Sequence, residues 1–576
     1  MISAILATLA TRLPSMAADT NSKEQLVDLY VVDLCVVGSG PAGIIMALEY
    51  ARENPDKKVL LAEYGAQQGT GQNQLDDSIK NHNPANHHDP YECTNKGLGG
   101  TSATWGGRCV MYDEVDFVDR PILEGECTWG GDSLDAVTPY LGKASEYFEC
   151  GAGPFDLNEM PKWRDHRIAE GFEEGDVLDS RLERWSMPTR FGPRYQEELT
   201  KLPNIELLFG VEARDFSQPN ENGCIDCLKL RDTATGEIRT VRAASFVLAA
   251  GAQESTRILL RNLQVFDSLQ SAPDSLGRYY QGHVSGKIAT ICFKGDPQKT
   301  DYQFQQDDDG SYFRRRFQIS QSAIERENLL NTAIWLDNPL YHDPSHRSGA
   351  MSVMYLAMIT PILGKRLAPP AIANSITKGK VTGLWQHIGN VLRGLPGSLW
   401  NPASVFFRRY CLKRKLPGIC LFSGANQYAL HFHAEQVPDA DNRMVMADDG
   451  ETLEIHYHLT DRDIDSVIRS HDLLDSWLKQ CGCGKLKYWF PKDELSDAIR
   501  AMSRDGIHQS GTTRIADSAE RGVLDKDLKV FGTSNLYVCS SSAFPTSGQA
   551  NPTYLLGAFA VRLAHHLTNQ AHHDHA

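Results

Sequence analysis

The chain has 576 residues, of which 41% are hydrophobic and 23% are charged. This length suits about three or four domains of roughly 150 residues, and the composition excludes a disordered, collagenous or disulfide-stapled protein. The 58 Lys and Arg against 73 Asp and Glu give a net charge of −15, which disfavours binding to nucleic acid. No apolar run approaches the roughly 18 to 20 residues that predict a membrane-spanning helix.

The N-terminus and the cysteines bear on the cellular compartment. Residues 2–10 are apolar, and residues 15–18 resemble a small-residue cleavage site. However, no Lys or Arg precedes the apolar stretch, as it would in a secretory signal. We interpret the 13 cysteines, including Cys481 and Cys483, as ordinary thiols of a reducing compartment. We therefore expect a cytoplasmic protein, with secretion as the alternative.

Residues 31–63 combine two apolar runs, a glycine-rich turn and a helical pattern. The first run, 31–37, is typical of a buried strand, and it leads into a turn with glycines at Gly38, Gly40 and Gly43. The second run ends at Glu63, 20 residues after the last of these glycines. This order and spacing are typical of a dinucleotide-binding unit. A turn that only reversed the chain would explain Gly38 but not the position of Glu63.

Each residue of this unit has a chemical reason to be there. Gly40 has no side chain to block a pyrophosphate, and the helix that starts near Pro41 directs its free N–H groups towards it. Glu63 would accept hydrogen bonds from the ribose hydroxyls and would disfavour the 2′-phosphate of NADPH. A second such unit is missing, because the nearest candidate, Gly151-Ala-Gly153, lacks the third glycine and the helix. If this single site holds FAD, the electrons come from a substrate.

Three more segments carry chemistry. Residues 97–108 form a glycine-rich loop, and 246–255 read as a buried strand that turns into a helix at Gly251. Near the C-terminus, His508-Gln-Ser-Gly-Thr is followed 43 residues after its histidine by Asn551-Pro-Thr. In this order, these segments resemble the glucose–methanol–choline (GMC) oxidoreductases, which use FAD to oxidise alcohols. The resemblance spans residues 30–565.

The resemblance implies a fold and its division into domains. We expect an α/β fold with a discontinuous Rossmann-like FAD-binding domain formed by residues 25–110, 200–285 and 505–576. Residues 111–199 and 286–504 would form an α+β substrate domain with an antiparallel sheet.

The resemblance also implies site residues. His508 would be the base that takes the hydroxyl proton, since a neutral imidazole accepts protons near neutral pH, and Asn551 would orient the alcohol. Pro552 would open a helix whose positive end faces the flavin. The residues expected to bind FAD are Gly38, Gly40, Gly43, Glu63, Gly99, Gly100, Thr101, Ser102, Trp105, Ala250, Gly251, Ser541, Pro552 and Thr553. We expect no metal ion.

The C-terminal motifs are most similar to the pyranose 2-oxidase branch of the family, which oxidises sugars. That branch attaches FAD through a histidine, and this sequence has Thr104 at the corresponding position. The resemblance therefore implies a noncovalent FAD and a sugar or glycoside hydroxyl as substrate. Oxygen, a quinone or a carrier could each accept the electrons. Two alternatives stay open, a lyase of the same fold without net redox turnover and a flavin-holding binding protein, against which His508 and Asn551 argue.

The stretch from Pro344 to Ala434, which we call the acid-free segment, contains no Asp or Glu but eleven Lys or Arg. Basic pairs such as Lys365-Arg366 and Arg408-Arg409 alternate there with Trp and Phe. We favour an irregular insertion packed over the substrate domain. The alternative is a docking surface for a membrane or an acidic partner.

Overall fold

The computed structural model describes residues 29–67, 78–131, 133–266, 275–360 and 381–573. The N-terminal stretch 2–18 and part of the acid-free segment, including Lys365 and Arg366, lie outside these residues. No helix within the described ranges is both long enough and apolar enough to cross a bilayer. The thirteen cysteines, all described, are free thiols, and they include Cys224 and Cys227, whose spacing is that of a redox pair.

The strands of the described residues are β1 (Leu29–Val37), β2 (Val59–Glu63), β3 (Ile79–Asn81), β4 (Arg108–Cys109), β5 (Val177–Leu178), β6 (Leu182–Trp185), β7 (Ile205–Phe209), β8 (Val211–Phe216), β9 (Cys227–Asp232), β10 (Ile238–Leu248), β11 (His283–Phe293), β12 (Gln305–Gln306), β13 (Tyr312–Arg315), β14 (Phe317–Ile319), β15 (Thr332–Asp337), β16 (Gln427–Glu435), β17 (Arg443–Met446), β18 (Leu453–His456), β19 (Gly484–Tyr488) and β20 (Leu536–Val538). The α-helices are α1 (Pro41–Glu53), α2 (Pro90–Cys93), α3 (Ser133–Val137), α4 (Leu141–Phe148), α5 (Phe191–Lys201), α6 (Gly251–Arg261), α7 (Gln321–Glu327), α8 (Gly349–Ile359), α9 (Leu384–Arg393), α10 (Gly397–Tyr410), α11 (Asp461–Gln480), α12 (Leu495–Met502) and α13 (Thr553–His573).

The first sheet is built on the predicted strand–turn–helix–strand unit. Strand β1 pairs in parallel with β2 and β10, β7 pairs in parallel with β2, and β20 pairs in parallel with β10. Strands β9 and β8 extend it on the antiparallel side. All five residues of β2 are buried, as expected for a parallel strand covered on both faces.

The strand register brings the predicted motifs to one edge of this sheet. Val37 is level with Ala62 on one side and with Leu248 on the other, and Leu248 is level with Val538. The segments that follow these residues therefore leave the sheet side by side. In a parallel α/β sheet, ligands bind at this carboxyl edge.

The second sheet has the order β19-β11-β16-β15-β14-β5, and its pairings are antiparallel. Side chains alternate between its faces. On one face, Leu430 and Phe432 of β16 pack in a core with Ile464 and Val467 of α11. His431 and His433 lie on the opposite face. This sheet confirms the predicted fold class, a Rossmann-like domain combined with an antiparallel substrate domain.

Two smaller sheets complete the strands. One has the order β12-β13-β6-β4, and the other has the order β17-β18-β3. Strand β3 falls within the predicted FAD-binding segment 25–110 but pairs with β18 of the predicted substrate segment. The strands of the first sheet come from 25–110, 200–285 and 505–576, and the exact domain boundaries stay a prediction.

Candidate functional site

The three glycines of the first turn are required for different reasons. Gly38 has a φ of +101°, and a Cβ there would lie 2.6 Å from the carbonyl oxygen of Ala249. A Cβ on Gly43 would overlap the carbonyl oxygen of Gly38. Around Gly40, by contrast, a Cβ would meet no atom within 4 Å. Gly38 and Gly43 allow close packing, whereas Gly40 leaves open space at the N-terminus of α1, where a pyrophosphate would bind.

Glu63 ends β2 as predicted, but both oxygens of its carboxylate already accept hydrogen bonds from the protein. Its Oε2 accepts hydrogen bonds from the backbone N–H and the hydroxyl of Ser39, at 2.9 and 2.8 Å. Its Oε1 accepts from the N–H groups of Gly65 and Gly97, both at 2.8 Å. A carboxylate accepts about four hydrogen bonds, so a ribose hydroxyl would bind Glu63 only by replacing one of these donors. The ribose contact therefore stays a prediction.

The glycine-rich loop lies against the first turn. The Gly99 N–H donates to the Ser39 carbonyl at 2.8 Å, and a Cβ on Gly100 would lie 3.0 Å from the Cα of Gly40. The Ser102 hydroxyl donates to the Gly99 carbonyl at 2.6 Å, which fixes the 3₁₀ turn Gly100–Ala103 that also contains Thr101. The loop thus adds a second glycine surface beside Gly40.

Thr104 and Trp105 lie at the end of the glycine-rich loop. Thr104 is exposed and accepts a hydrogen bond from Asn95 Nδ2 at 2.6 Å. Trp105 packs against Phe148 and Phe191, and its indole N–H donates to the Thr189 carbonyl at 2.9 Å. The Trp105 side chain is therefore held by contacts within the protein, and its contact with FAD stays a prediction.

Ala250 precedes α6 and Gly251 is its first residue, and the first two turns of this helix carry buried polar atoms. Among the described residues, Gln253 Oε1 and Nε2 and Ser255 Oγ are buried without a hydrogen-bond partner. An unsatisfied buried polar group costs about 1–3 kcal/mol, so these atoms favour a polar ligand at this place. Together with the open Gly40 and the N-termini of α1 and α6, this donor set fits FAD. Thr256 of α6 also hydrogen-bonds Thr512 at 2.7 Å, which joins the turn to the His508 segment.

His508 lies in a hydrogen-bonded chain of three side chains. Its Nδ1 donates to Asp505 Oδ2 at 3.2 Å, and its Nε2 accepts from the Asn551 amide Nδ2 at 2.6 Å. This pattern places the ring proton on Nδ1 and leaves the lone pair on Nε2. The other amide atom, Asn551 Oδ1, is buried without a hydrogen-bond partner in the described residues. The predicted pair is therefore brought together, and Asp505 joins it.

Asp505 is held as a carboxylate by its surroundings. Its Oδ1 accepts from the backbone N–H groups of residues 506, 507 and 508, and its Oδ2 accepts from the His283 N–H. Burial alone would raise the pKa of Asp505, but His508 and His283 beside it hold that pKa well below its usual range. The ionised carboxylate can thus orient His508 and stabilise it when it takes a proton.

Two further histidines surround His508. The rings of His283 and His433 stack at 4.0 Å, and each meets the His508 ring edge-on, at 4.9 and 5.2 Å. Burial lowers the pKa of His283, and it lowers that of His433 well below the usual value, so both rings are neutral. With Asp505, the three histidines place possible metal-ligand atoms within 4.8 Å of one another. Because both nitrogens of His508 already carry hydrogen bonds, we interpret the cluster as a proton-handling site.

The remaining predicted residues lie around this cluster. The Ser541 hydroxyl, three residues after the end of β20, donates to the Gln509 carbonyl at 2.6 Å. Helix α13 begins at Thr553, and the Pro552 carbonyl accepts from the Leu556 N–H at 2.9 Å. Pro552 thus lies one position before the first helical residue, whereas the prediction made Pro552 itself the first residue of the helix. Asn551 lies two residues before this helix, whose dipole is positive at that end.

The nucleotide fold and the His508 cluster define a dinucleotide-dependent oxidoreductase. Residues 438–560 match a family model described as GMC oxidoreductase. The C-terminal part of the chain is therefore similar to the GMC oxidoreductases, a family of FAD-dependent enzymes, in agreement with the resemblance of the sequence motifs. Members of this family oxidise alcohols or related groups.

The structure is similar to several solved ones at low sequence identity. A fungal aryl-alcohol oxidase is 14% identical over 94% of this chain and 99% of its own, with a TM-score of 0.49. Pyridoxine 4-oxidase from Mesorbium loti is 16% identical over 94% and 99%, with a TM-score of 0.47. A formate oxidase is 14% identical over 95% and 99%, with a TM-score of 0.49. No curated protein matches the sequence.

Proposed function

We propose that the protein oxidises a secondary hydroxyl of a sugar or glycoside to a carbonyl, with His508 as the base. The observation that carries this proposal is the hydrogen-bonded chain from Asp505 through His508 to Asn551. FAD, when bound, supplies the acceptor for the hydride. His508, Asn551 and Asp505 take the hydroxyl proton and orient the substrate.

His508 and Asn551 give an alcohol oxygen two complementary contacts. The substrate hydroxyl can donate its proton to His508 Nε2 while its oxygen accepts from Asn551 Nδ2. These two protein atoms are 2.6 Å apart, so the alcohol replaces the hydrogen bond between them. Asp505 then stabilises the protonated imidazole through Nδ1. The same division of roles between base and orienting carboxylate operates in serine hydrolases.

The substrate class is proposed from the side chains beside the cluster. Trp335 stacks on His431 at 4.6 Å and lies 6.2 Å from His433. The guanidinium of Arg108 lies over the Trp335 ring at 4.3 Å, and Arg108 is also paired with Glu183. This group of side chains combines aromatic faces with hydrogen-bonding groups. It suits a polyhydroxylated ring better than a simple aliphatic alcohol.

The cofactor linkage is proposed to be noncovalent. Thr104, which stands at the position of the linking histidine, carries a hydroxyl that accepts a hydrogen bond from Asn95. Acid precipitation of the purified protein should release yellow flavin into the supernatant. Flavin that stays with the pellet would show that another residue binds it covalently.

The substrate proposal is tested by anaerobic mixing with sugars, glycosides and simple alcohols. We expect bleaching of the flavin absorbance with a sugar or glycoside. A lyase would convert its substrate while the flavin stays oxidised, and bleaching by simple alcohols alone would contradict the proposed substrate class. A binding protein would give neither change.

A further inference from the structure

An apolar stripe faces outwards on helix α10. Its side chains follow the helical repeat, and each of them is exposed: Leu399, Trp400, Ala403, Phe406, Phe407 and Tyr410. Trp400 is 72% exposed. The buried side of the helix carries Ser398, and Val405 packs inward against the core. A helix on a water-facing surface normally shows the reverse arrangement, with its apolar stripe turned to the core.

Helix α9 and the turn after it extend this surface. Trp385 is 81% exposed, and Leu384, Leu392 and Leu395 are exposed as well. Leu395 lines a shallow pocket together with Leu399 and Trp400 of α10. Both helices pack against α8. We call this surface, formed by the exposed apolar residues of α9, α10 and the turn between them, the α9–α10 face. Contiguous apolar surfaces on soluble monomers are small, and a larger one marks an interaction site.

Within the acid-free segment, the charges beside the α9–α10 face are positive. Arg393 ends α9 and Lys413 follows α10, and both are exposed. The face lies within the acid-free segment of a chain whose net charge is −15. Some nearby cations have structural contacts instead, since Arg409 donates to the Leu416 carbonyl and Arg414 to the Glu149 carbonyl. Arg393 and Lys413 are therefore the best candidates for contacts with an anionic surface.

We propose that the α9–α10 face binds the surface of a bilayer that contains anionic lipids. Tryptophan and tyrosine prefer the boundary between headgroups and acyl chains, and leucine and phenylalanine can enter just below it. Arg393 and Lys413 would then contact anionic headgroups. This function is separate from the proposed oxidation and does not depend on it.

The charge pattern favours a bilayer over a second copy of the chain. In a twofold dimer built on this face, the same patch of both copies would meet, and the cations of each copy would face those of the other. Like charges across an interface disfavour association. An anionic lipid surface instead provides complementary charge over the same area.

The test is flotation of the full-length protein with phosphatidylcholine vesicles, with and without phosphatidylglycerol. We expect binding only with phosphatidylglycerol, and weaker binding when salt rises from about 0.1 M to 1 M, because screening shortens from about 10 Å to 3 Å. Trp400→Ser with Phe407→Ser should lower vesicle binding at least tenfold, as should Arg393→Gln with Lys413→Gln. Tryptophan emission should shift to the blue on binding, since Trp385 and Trp400 leave water.

Matched controls change the same kinds of residue elsewhere. Val31→Ser with Val118→Ser removes two exposed apolar side chains, and Lys201→Gln with Lys492→Gln removes two exposed charges. Both controls should bind like the native protein, and each variant's thermal unfolding confirms its fold. Equal binding by Trp400→Ser/Phe407→Ser and the native protein would overturn the proposal. The proposal would also be overturned if the native protein is a dimer that does not bind vesicles and Trp400→Ser/Phe407→Ser converts this dimer to a monomer.

Discussion

The variant Asp505→Asn tests the role of Asp505 in orienting His508, separately from the role of His508 as the base. Three backbone N–H groups donate to Asp505 Oδ1, so the asparagine oxygen will take that position. Its amide N–H₂ then replaces Oδ2 and faces His508 Nδ1 and the His283 N–H. The amide can only donate to Nδ1, which moves the ring proton to Nε2. The lone pair that would accept the hydroxyl proton is thereby lost.

The size of the effect follows from the role assigned to His508. General-base catalysis contributes about 10²–10⁴ in rate, or about 3–5 kcal/mol at 1.36 kcal/mol per factor of ten. Asp505→Asn should therefore slow flavin reduction by about 10²–10⁴-fold in anaerobic stopped-flow. The unsatisfied His283 N–H should also cost about 1–3 kcal/mol of stability, so rates are compared on folded, FAD-loaded protein.

Two further variants sharpen this test. Asp463→Asn changes another buried aspartate that accepts backbone N–H groups, from Val437 and Thr460, and it should lower stability without the loss in rate. Asp505→Asn with His508→Ala should be no slower than His508→Ala alone, because Asp505 acts through His508. Flavin reduction by Asp505→Asn within a few-fold of the native rate would refute the reasoning, as would additive losses in the double variant.

Three other predictions rest on separate contacts. His508→Ala should slow flavin reduction by about 10²–10⁴-fold because the base is removed, and Asn551→Ala by up to about 10²–10³-fold because only an orienting donor is removed, as anaerobic stopped-flow of both variants would show. Gly43→Ala should prevent folding because its Cβ overlaps a backbone oxygen, while Gly40→Ala, with open space, should fold but bind FAD more weakly in a flavin titration. His471 has a pKa lowered by burial from 6.5 to about 4, so between these pH values the unfolded state binds a proton that the folded state does not. Its contribution to the free energy of unfolding therefore falls as pH drops, and His471→Leu should reduce that slope by up to about 1.36 kcal/mol per pH unit in urea unfolding at pH 7 and 5.

The glycine turn could be predicted because its determinants are local. Gly38, Gly40 and Gly43 follow a buried strand within a few residues, and each requirement can be read from a single strand–turn–helix unit. The same holds for Glu63, whose position at the end of β2 follows from the spacing. The contacts of the Glu63 carboxylate do not follow from the spacing, because one of them is made by Gly97, in a loop 34 residues away.

The surroundings of His508 could not be read from local patterns. His283 and His433 meet only because β11 pairs with β16, and 150 residues without a shared motif separate them. A period-two pattern can tell that His433 and Phe432 face opposite sides of a strand, but it cannot tell which side covers the cofactor domain. Asp505 stands three residues before His508, yet its role depends on a turn in which its carboxylate accepts the next three N–H groups. A base and its orienting residues are therefore fixed by tertiary contacts, and the motif residues alone understate the size of the site.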